Sequence, residues 1–306
     1  MPSILVIDQG THASRAMIFA SDGQILAQAE RPISLNRLSS DAIEQDPVEI
    51  LNSIQQVIRQ LPQDLLRQAQ HCCLTSQRST VLAWHAQTGE ALSPALSWQD
   101  RRSQQDLQQF QSQYSHIKSI TGLPLSPHYG AGKFRWLLHH CPPVHQALND
   151  GQLHLGMLVS YLLHHLLERP QHLVDHSNAH RSLLFDLHRL NWSAELCQLF
   201  SIPQHCLPEC RPMQADYGRL KHYGIPITAV CGDQSAALFA HGPVTPGSVH
   251  INIGTGAFIL APCETPITQN GLLCGIAISD QHQHHYLLEG TVNGAGAALS
   301  WARALG

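Results

Sequence analysis

Residues 4–26 read ILVIDQGTHASRAMIFASDGQIL, and this stretch decides the fold class. An apolar run leads into Asp8, the chain turns at Gly10 and Thr11, and a second apolar run returns. A turn that only reverses the chain does not need a carboxylate at the strand tip. Apolar runs bounded by turn residues predict strands at Ser3–Ile7, at Arg15–Phe19 and from Gln24 onward.

The first turn is a candidate phosphate site. Glycine lets the backbone approach phosphate oxygens closely, and threonine adds a hydroxyl donor. Asp8 would then hold Mg²⁺ through water, since Mg²⁺ keeps much of its hydration shell. A plain tight turn is the alternative interpretation. The sequence contains no G-x-x-x-x-G-K-[ST] and no strand-to-helix G-x-G-x-x-G, which disfavours P-loop and dinucleotide-binding folds.

The same pattern returns in SVHINIGTGAFIL at residues 248–260. Two strand–turn–strand motifs predict a duplicated architecture with one phosphate-binding hairpin in each domain. Between them strands alternate with helices, which is typical of α/β organisation. The predicted helices follow Pro47, with Asp46 as cap, and include residues 99–111, 131–140 and 155–170.

A second candidate site lies where a strand predicted at Ile227–Cys231 runs into a helix after Gly232. Asp233 and Gln234 stand at the start of that helix. The aspartate can be a helix cap, or it can accept a proton from an attacking hydroxyl. In phosphoryl transfer such a base acts late and mainly orients the nucleophile. The spacing leaves both interpretations open.

Composition excludes several classes of protein. Hydrophobic residues make up 43% of the 306 residues, so a large core is expected and disorder is not. The net charge is −4 and Lys and Arg do not cluster, so neither nucleic acid nor a membrane is an expected partner.

No signal peptide is recognisable, and nine scattered cysteines without C-x-x-C predict reduced thiols in the cytoplasm. Histidine clusters at 139–145 and 281–286 are expected at the surface, with zinc binding as the alternative.

Eight motifs resemble, in order, those of the FGGY carbohydrate kinases, and within that family they are most similar to glycerol kinases. The motifs are IDQGTHASRAM (7–17), EQDPVEI (44–50), TSQRSTVLAW (75–84), SWQDRR (97–102), VDHSNAHRSLLFD (174–186), GDQSAALFAHG (232–242), IGTGAF (253–258) and EGTVNGAGAALSWAR (289–303). The similarity extends over essentially the whole chain.

The resemblance implies an α/β fold of the actin-like (ribonuclease H-like) ATPase-domain type, with a mixed five-stranded sheet flanked by helices and the start of a second similar domain. Residues 1–245 are then expected to form the N-terminal, sugar-binding domain. Residues 246–306 would begin the C-terminal, nucleotide-binding domain. The implied activity is transfer of the γ-phosphate of ATP, with Mg²⁺, to a hydroxyl of a small polyol or ketose.

Carried over by position, the resemblance also implies roles for the candidate residues. Asp233 corresponds to the general base and Asp8 to the Mg²⁺-associated carboxylate. The implied substrate-binding residues are Arg78, Trp98, His128, Gln234 and Phe258. The implied phosphate- and nucleotide-binding residues are Gly10, Thr11, Gly254, Thr255, Gly256 and Gly296. Taken singly, Trp98 is also compatible with a core position and Arg78 with a surface ion pair.

Four positions depart from the glycerol kinase pattern. Ser79 stands where a glutamate is expected, and His128 where a tyrosine is expected. Losing a polar partner in a hydrogen-bonding pocket shifts specificity by orders of magnitude, so a substrate other than glycerol is predicted. His12 and Ser300 replace a threonine and a glutamine near ATP, which would weaken ATP contacts.

The sequence ends at Gly306, early in the expected second domain. A fragment, a truncated gene product or a subunit completed by another chain is therefore expected, and a homo-oligomer is a further alternative. A non-catalytic sugar-binding or regulatory relative is the main competing function. Another actin-like ATPase is the third, and SWQDRR and DHSNAHRSLLFD argue against it.

Overall fold

The computed structural model describes residues 3–253, 257–268, 271–292 and 301–303. Its strands, in chain order, are β1 Ser3–Gln9, β2 Ala13–Ala20, β3 Ile25–Pro32, β4 Asn36–Arg37, β5 Ile43–Gln45, β6 Ala69–Ser76, β7 Val81–His85, β8 Ala95–Leu96, β9 Leu153–Met157, β10 Leu173–Asp175, β11 Phe185–Asp186, β12 Asn191–Trp192, β13 Glu209–Arg211, β14 Ile227–Gly232, β15 His250–Ile253, β16 Ala257–Cys263, β17 Leu273–Ser279 and β18 His284–Val292. Its α-helices are α1 Pro47–Gln60, α2 Gln63–Gln68, α3 Gln104–Leu107, α4 Tyr114–Thr121, α5 Gly130–His140, α6 Pro142–Asn149, α7 Leu158–Leu166, α8 His176–His180, α9 Ala194–Leu199 and α10 Asp233–Ala236.

The central sheet has the strand order β14-β6-β1-β2-β3. β6 runs parallel to both β1 and β14, whereas β2 is antiparallel to β1 and β3. This is the mixed five-stranded sheet that the resemblance implies. The inward-facing Leu5, Ile7, Ala16 and Ile18 are fully buried, so each hairpin strand presents one apolar face to the core.

Helix α1 covers β2 and β3. It begins as the sequence predicts, because the Asp46 carboxylate accepts a hydrogen bond of 2.8 Å from the Val48 amide and Pro47 occupies the first turn. The predicted apolar stripe, Leu51, Ile54, Val57, Ile58 and Leu61, is buried throughout.

The helix predicted over residues 155–170 is wrong in its first part. Leu153–Met157 forms β9, which pairs with β7, and α7 starts only at Leu158. A Cβ at Gly156 would lie 2.7 Å from the Trp84 ring, so glycine permits the close packing of β9 against this buried tryptophan. Tertiary pairing therefore overrides the helical pattern. The helix predicted in residues 99–111 is likewise reduced to α3, followed by 3₁₀ turns over Gln108–Gln113.

A four-stranded antiparallel sheet of order β15-β16-β18-β17 follows. β15 and β16 form the second predicted hairpin, and its turn, residues 254–256, lies outside the described residues. Cys274, Ile276 and Tyr286 of this sheet belong to the main hydrophobic core. The edge of the sheet near β15 exposes Val249 and Ile251.

The two histidine clusters lie mostly at the surface, as predicted. Among the described residues, no group of three or more His, Cys, Asp or Glu side chains is arranged to hold a metal ion. In the same ranges, no helix has both the length and the apolar character needed to cross a membrane.

Several other histidines are buried, and they make the fold sensitive to acid. Burial lowers the pKa of His164 to about 4 and that of His180 to about 3, below the unfolded value of about 6.5. The unfolded state therefore binds more protons, and stability falls as the pH drops from about 6.5 toward 4. Each such histidine contributes a slope of up to about 1.4 kcal/mol per pH unit. Urea unfolding between about pH 7.5 and 4.5 measures this loss.

Replacing His164 by methionine removes one of these titrations, so His164→Met should flatten the slope by about 1 kcal/mol per pH unit. The exposed His145 on α6 provides the matched control, since His145→Gln should leave the slope unchanged. An unfolding free energy independent of pH in the unmodified protein would contradict this account.

Candidate active site

The carboxyl ends of β1, β6 and β14 lie side by side. The register aligns Asp8 with Thr75 and Thr75 with Cys231. Arg78 and Asp233 follow two or three residues later, so both leave the sheet at the edge where Asp8 stands. In open α/β sheets this edge is where ligands bind.

Asp8 is held in a fixed orientation and remains accessible. Thr75 Oγ1 donates to its Oδ1 at 2.9 Å, and Arg15 Nη1 lies 3.3 Å from its Oδ2. Arg15 is shared with Glu30, and the Asp8 side chain is 27% exposed. An oriented carboxylate that faces solvent fits a hydrated Mg²⁺, which takes oxygen ligands and keeps several waters.

The first turn is braced by side-chain amides. Gly10 donates its amide to the Ala13 carbonyl at 2.9 Å, which closes the turn. Gln45 Nε2 donates to the Thr11 carbonyl at 2.9 Å, and Gln77 Nε2 donates to Gln45 Oε1 at 2.8 Å. The turn is therefore tied to the segment that follows β6.

Arg78 and Asp233 form a long, partly exposed ion pair. The stem of Arg78 packs on Gly232, where a Cβ would lie 2.4 Å from Arg78 Cγ. Arg78 Nε is 3.8 Å from Asp233 Oδ1, and the two side chains are 14% and 35% exposed. The surface ion pair considered for Arg78 is therefore wrong, because the guanidinium is largely buried.

The surroundings change the acidity of both groups. Burial lowers the pKa of Arg78 to about 10, and the positive charge of Arg181 acts in the same direction. Burial raises the pKa of Asp233, and the charge of Arg78 opposes that rise. Asp233 is also the first residue of α10, with Gly232 as the cap, and its Oδ1 accepts a hydrogen bond from the Gln234 backbone amide. An aspartate with increased basicity can accept a proton.

A buried ion pair behind Arg78 is absent from the sequence predictions. Arg181 Nη2 donates to Glu289 Oε2 at 2.7 Å, and Arg181 also hydrogen-bonds to the Tyr129 side chain. Burial opposes ionisation of Glu289, but Arg181 and Arg78 outweigh it and lower its pKa to about 2. The Arg and Glu of the VDHSNAHRSLLFD and EGTVN motifs could have signalled this pair, since charged residues rarely occur buried without a partner.

Trp98 and His128 form one wall beside these charges. Trp98 Nε1 donates to Thr11 Oγ1 at 2.9 Å, and its ring lies 5.9 Å from the His128 ring, edge to face. Trp98 is 36% exposed, which excludes the core position considered for it. Burial lowers the pKa of His128 to about 3, with Lys133 and Arg181 adding to the shift, so its imidazole is neutral at physiological pH.

Of the remaining predicted site residues, one is exposed and the others are described in part or not at all. Gln234 is exposed beside Asp233, and its amide donates to Asp233 Oδ1 at 2.7 Å. Phe258 lies on β16 opposite Thr291, and its side chain is not described. Gly254, Thr255, Gly256 and Gly296, together with Ser300, lie outside the described residues.

Ser79 has an unusual backbone and an unpaired hydroxyl. Its φ is 63°, in the left-handed region, and the residue is fully buried. Its Oγ has no hydrogen-bond partner among the described residues. Such strain and unsatisfied polarity are concentrated at functional sites.

Comparison with known proteins shows the family of the chain. Residues 3–240 match the FGGY family of carbohydrate kinases, N-terminal domain. Glycerol kinases from Alcanivorax borkumensis and Limosilactobacillus reuteri are each 35% identical to this chain, covering 99% and 98% of it. The chain spans 63% and 62% of those two proteins.

Solved structures give the same result. The crystal structure of Plasmodium falciparum glycerol kinase with ADP matches with a TM-score of 0.92 and 28% identity, over 98% of this chain and 63% of that one. A xylulose kinase from Rhodospirillum rubrum matches with a TM-score of 0.86 at 21% identity, over 98% of this chain and 63% of that one, which supports the fold alone. The fold is the actin-like ATPase fold, and the chain belongs to the FGGY family of carbohydrate kinases.

Proposed function

We propose that this protein transfers the γ-phosphate of ATP to a hydroxyl of a small polyol or ketose sugar. The observation that carries the proposal is the convergence of Asp8, Arg78 and Asp233 at neighbouring strand ends. Relatives named glycerol kinase support this substrate class. In this proposal residues 1–245 bind the sugar and residues 246–306 begin the nucleotide-binding domain.

Asp233 is the proposed general base. Its raised pKa favours taking a proton from the attacking hydroxyl as the oxygen–phosphorus bond forms, and Arg78 holds the ionised carboxylate in place before the transfer. Phosphoryl transfer has a loose transition state, so the larger contribution is orientation of the hydroxyl. Gln234 and Trp98 would border the same hydroxyl-bearing substrate.

The ATP phosphates would meet the turn at Gly10 and Thr11, where the Thr11 hydroxyl can still donate while accepting from Trp98. Asp8 would hold Mg²⁺, which when bound neutralises phosphate charge. The second group of phosphate and nucleotide contacts proposed for the chain comprises Gly254, Thr255, Gly256 and Gly296, with Phe258 on the substrate side.

The pocket disfavours glycerol as the preferred substrate. Ser79 supplies no carboxylate, and Glu289 is already engaged by Arg181. The neutral His128 imidazole has one N–H donor and one acceptor nitrogen, and no carboxylate. With no carboxylate at position 79, fewer acceptors face the substrate beside Arg78, which favours a substrate that carries a carbonyl, an acceptor only, in place of one hydroxyl, such as a ketose.

A panel assay tests the proposal. ADP release is measured with Mg-ATP and glycerol, erythritol, xylitol, D-xylulose or D-ribulose, and calorimetry measures binding of each compound with and without nucleotide. Turnover on a ketose above that on glycerol is the expected result. Saturable sugar binding with no affinity for ATP and no turnover would favour the alternative, a non-catalytic sugar-binding or regulatory protein. The unpaired Ser79 hydroxyl is the observation behind that alternative.

Removing the proposed base should stop the chemistry and spare the fold. Asp233→Asn is expected to lower kcat by about 10²–10⁴-fold, because the amide cannot accept the proton. Its side chain is partly exposed, so the melting temperature should change little. The exposed Asp216 offers the control Asp216→Asn, with unchanged kcat. An Asp233→Asn enzyme that keeps wild-type kcat would remove Asp233 from the mechanism.

Gly232 provides a second test, through the position of Arg78. The Cβ of Gly232→Ala would overlap the Arg78 stem, so the guanidinium must move. The KM for the sugar should rise by about tenfold or more, since small misplacements in a site are costly. Gly271→Ala is the control, because a Cβ there meets nothing within 4 Å. Equal kinetics in the two variants would contradict the assigned role of Arg78.

A further inference from the structure

Lys133 is a fully buried lysine on α5 that the proposed chemistry does not use. Its Nζ donates to the carbonyl oxygens of Ser79 at 2.8 Å, Ser97 at 2.8 Å and His128 at 3.0 Å. An ammonium group has three N–H donors, so these three carbonyls account for its full capacity.

The three carbonyls belong to three separate segments of the chain, and each segment carries a candidate substrate-binding residue. Ser79 directly follows Arg78, Ser97 directly precedes Trp98, and His128 is itself a candidate. The segments follow β6 and β8 and precede α5. A single nitrogen atom therefore joins all three parts of the predicted pocket.

The ammonium is not needed to fill space. A methionine has a similar length and would fill the position without burying a charge. Asp100 and Arg102 are the charged groups that face Lys133, with His128 beside them. Burial lowers the pKa of Lys133 to about 7, Asp100 opposes that shift and Arg102 adds to it. A buried cation with three carbonyl acceptors points to a role in fixing those carbonyls.

We propose that Lys133 is a positioning residue that fixes Arg78, Trp98 and His128 relative to one another, so that the substrate pocket is formed before the sugar binds. The inference rests on the proposed function for the identity of the pocket. The positioning itself is a property of the free protein and can be measured without turnover.

The test uses the full chain labelled with 5-fluorotryptophan. The ¹⁹F resonance of Trp98 is assigned by its absence in Trp98→Phe. In Lys133→Met the three carbonyls lose their donor, and we expect the Trp98 resonance to shift or broaden under native conditions. Leu137→Ala is the matched control, because Leu137 is a fully buried residue on the same helix. That variant should lose stability and leave the Trp98 resonance in place.

An unchanged Trp98 resonance in folded Lys133→Met would overturn the proposal. Where Lys133→Met does not fold, Lys133→Gln, which retains two N–H donors, takes its place, and an intermediate displacement of the resonance is expected. If both variants fail to fold while Leu137→Ala folds, Lys133 belongs to the core fold and the proposal is wrong.

Kinetics add a readout that loss of stability alone would not give. With the best sugar of the panel, Lys133→Met should raise the KM for that sugar by about tenfold. The KM for ATP should rise less than the KM for the sugar, since Lys133 makes no hydrogen bond to the turn at Gly10 and Thr11 and reaches it only through the Trp98–Thr11 hydrogen bond. Absence of turnover in the unmodified chain would count against the proposed function, and the ¹⁹F measurement would still decide the role of Lys133.

Discussion

The parallel pairing of β1 with β6, and of β6 with β14, is the constraint on which the candidate site depends. Parallel strands end at a common edge, so three segments distant in the sequence deliver Asp8, Arg78 and Asp233 to one place. A slip of one residue would turn Asp8 to the opposite face and break its hydrogen bond from Thr75. Buried residues such as Ile7, Leu74 and Val230 fix that register through the core.

The pocket behind this edge depends on a balance of buried charge. Arg78 and Arg181 lie close enough for each charge to disfavour the other, and Glu289 and Asp233 supply the compensating negative charges. Glu289 Oε2 lies 2.7 Å from Arg181 Nη2, whereas Asp233 Oδ1 lies 3.8 Å from Arg78 Nε. The longer Arg78–Asp233 pair leaves the Asp233 carboxylate available to another group. The shorter Arg181–Glu289 pair holds both of its side chains in fixed positions next to Arg78.

Local patterns in the sequence were sufficient to predict the first three strands, the α1 cap at Asp46 and the position of Asp233 at a helix start. The assignment of sites depended instead on the order of motifs along the chain. The Arg181–Glu289 pair joins residues 108 positions apart, so each charged motif residue signals a need for a partner without showing which residue that partner is. The β9 strand was missed for the same reason, because its pairing with β7 outweighs the helical preference of its residues.

Position 79 has a consequence for how enzymes of this architecture diverge. Its backbone conformation is set by the surrounding structure, through a left-handed φ of 63° and a carbonyl bound by Lys133. The main chain is therefore held by a contact that does not involve the side chain. β-Branched residues are disfavoured by the left-handed conformation, whereas asparagine and aspartate are enriched in it. A single substitution at this position can thus exchange a charged acceptor for a neutral hydroxyl, and substrate preference can evolve without refolding the pocket.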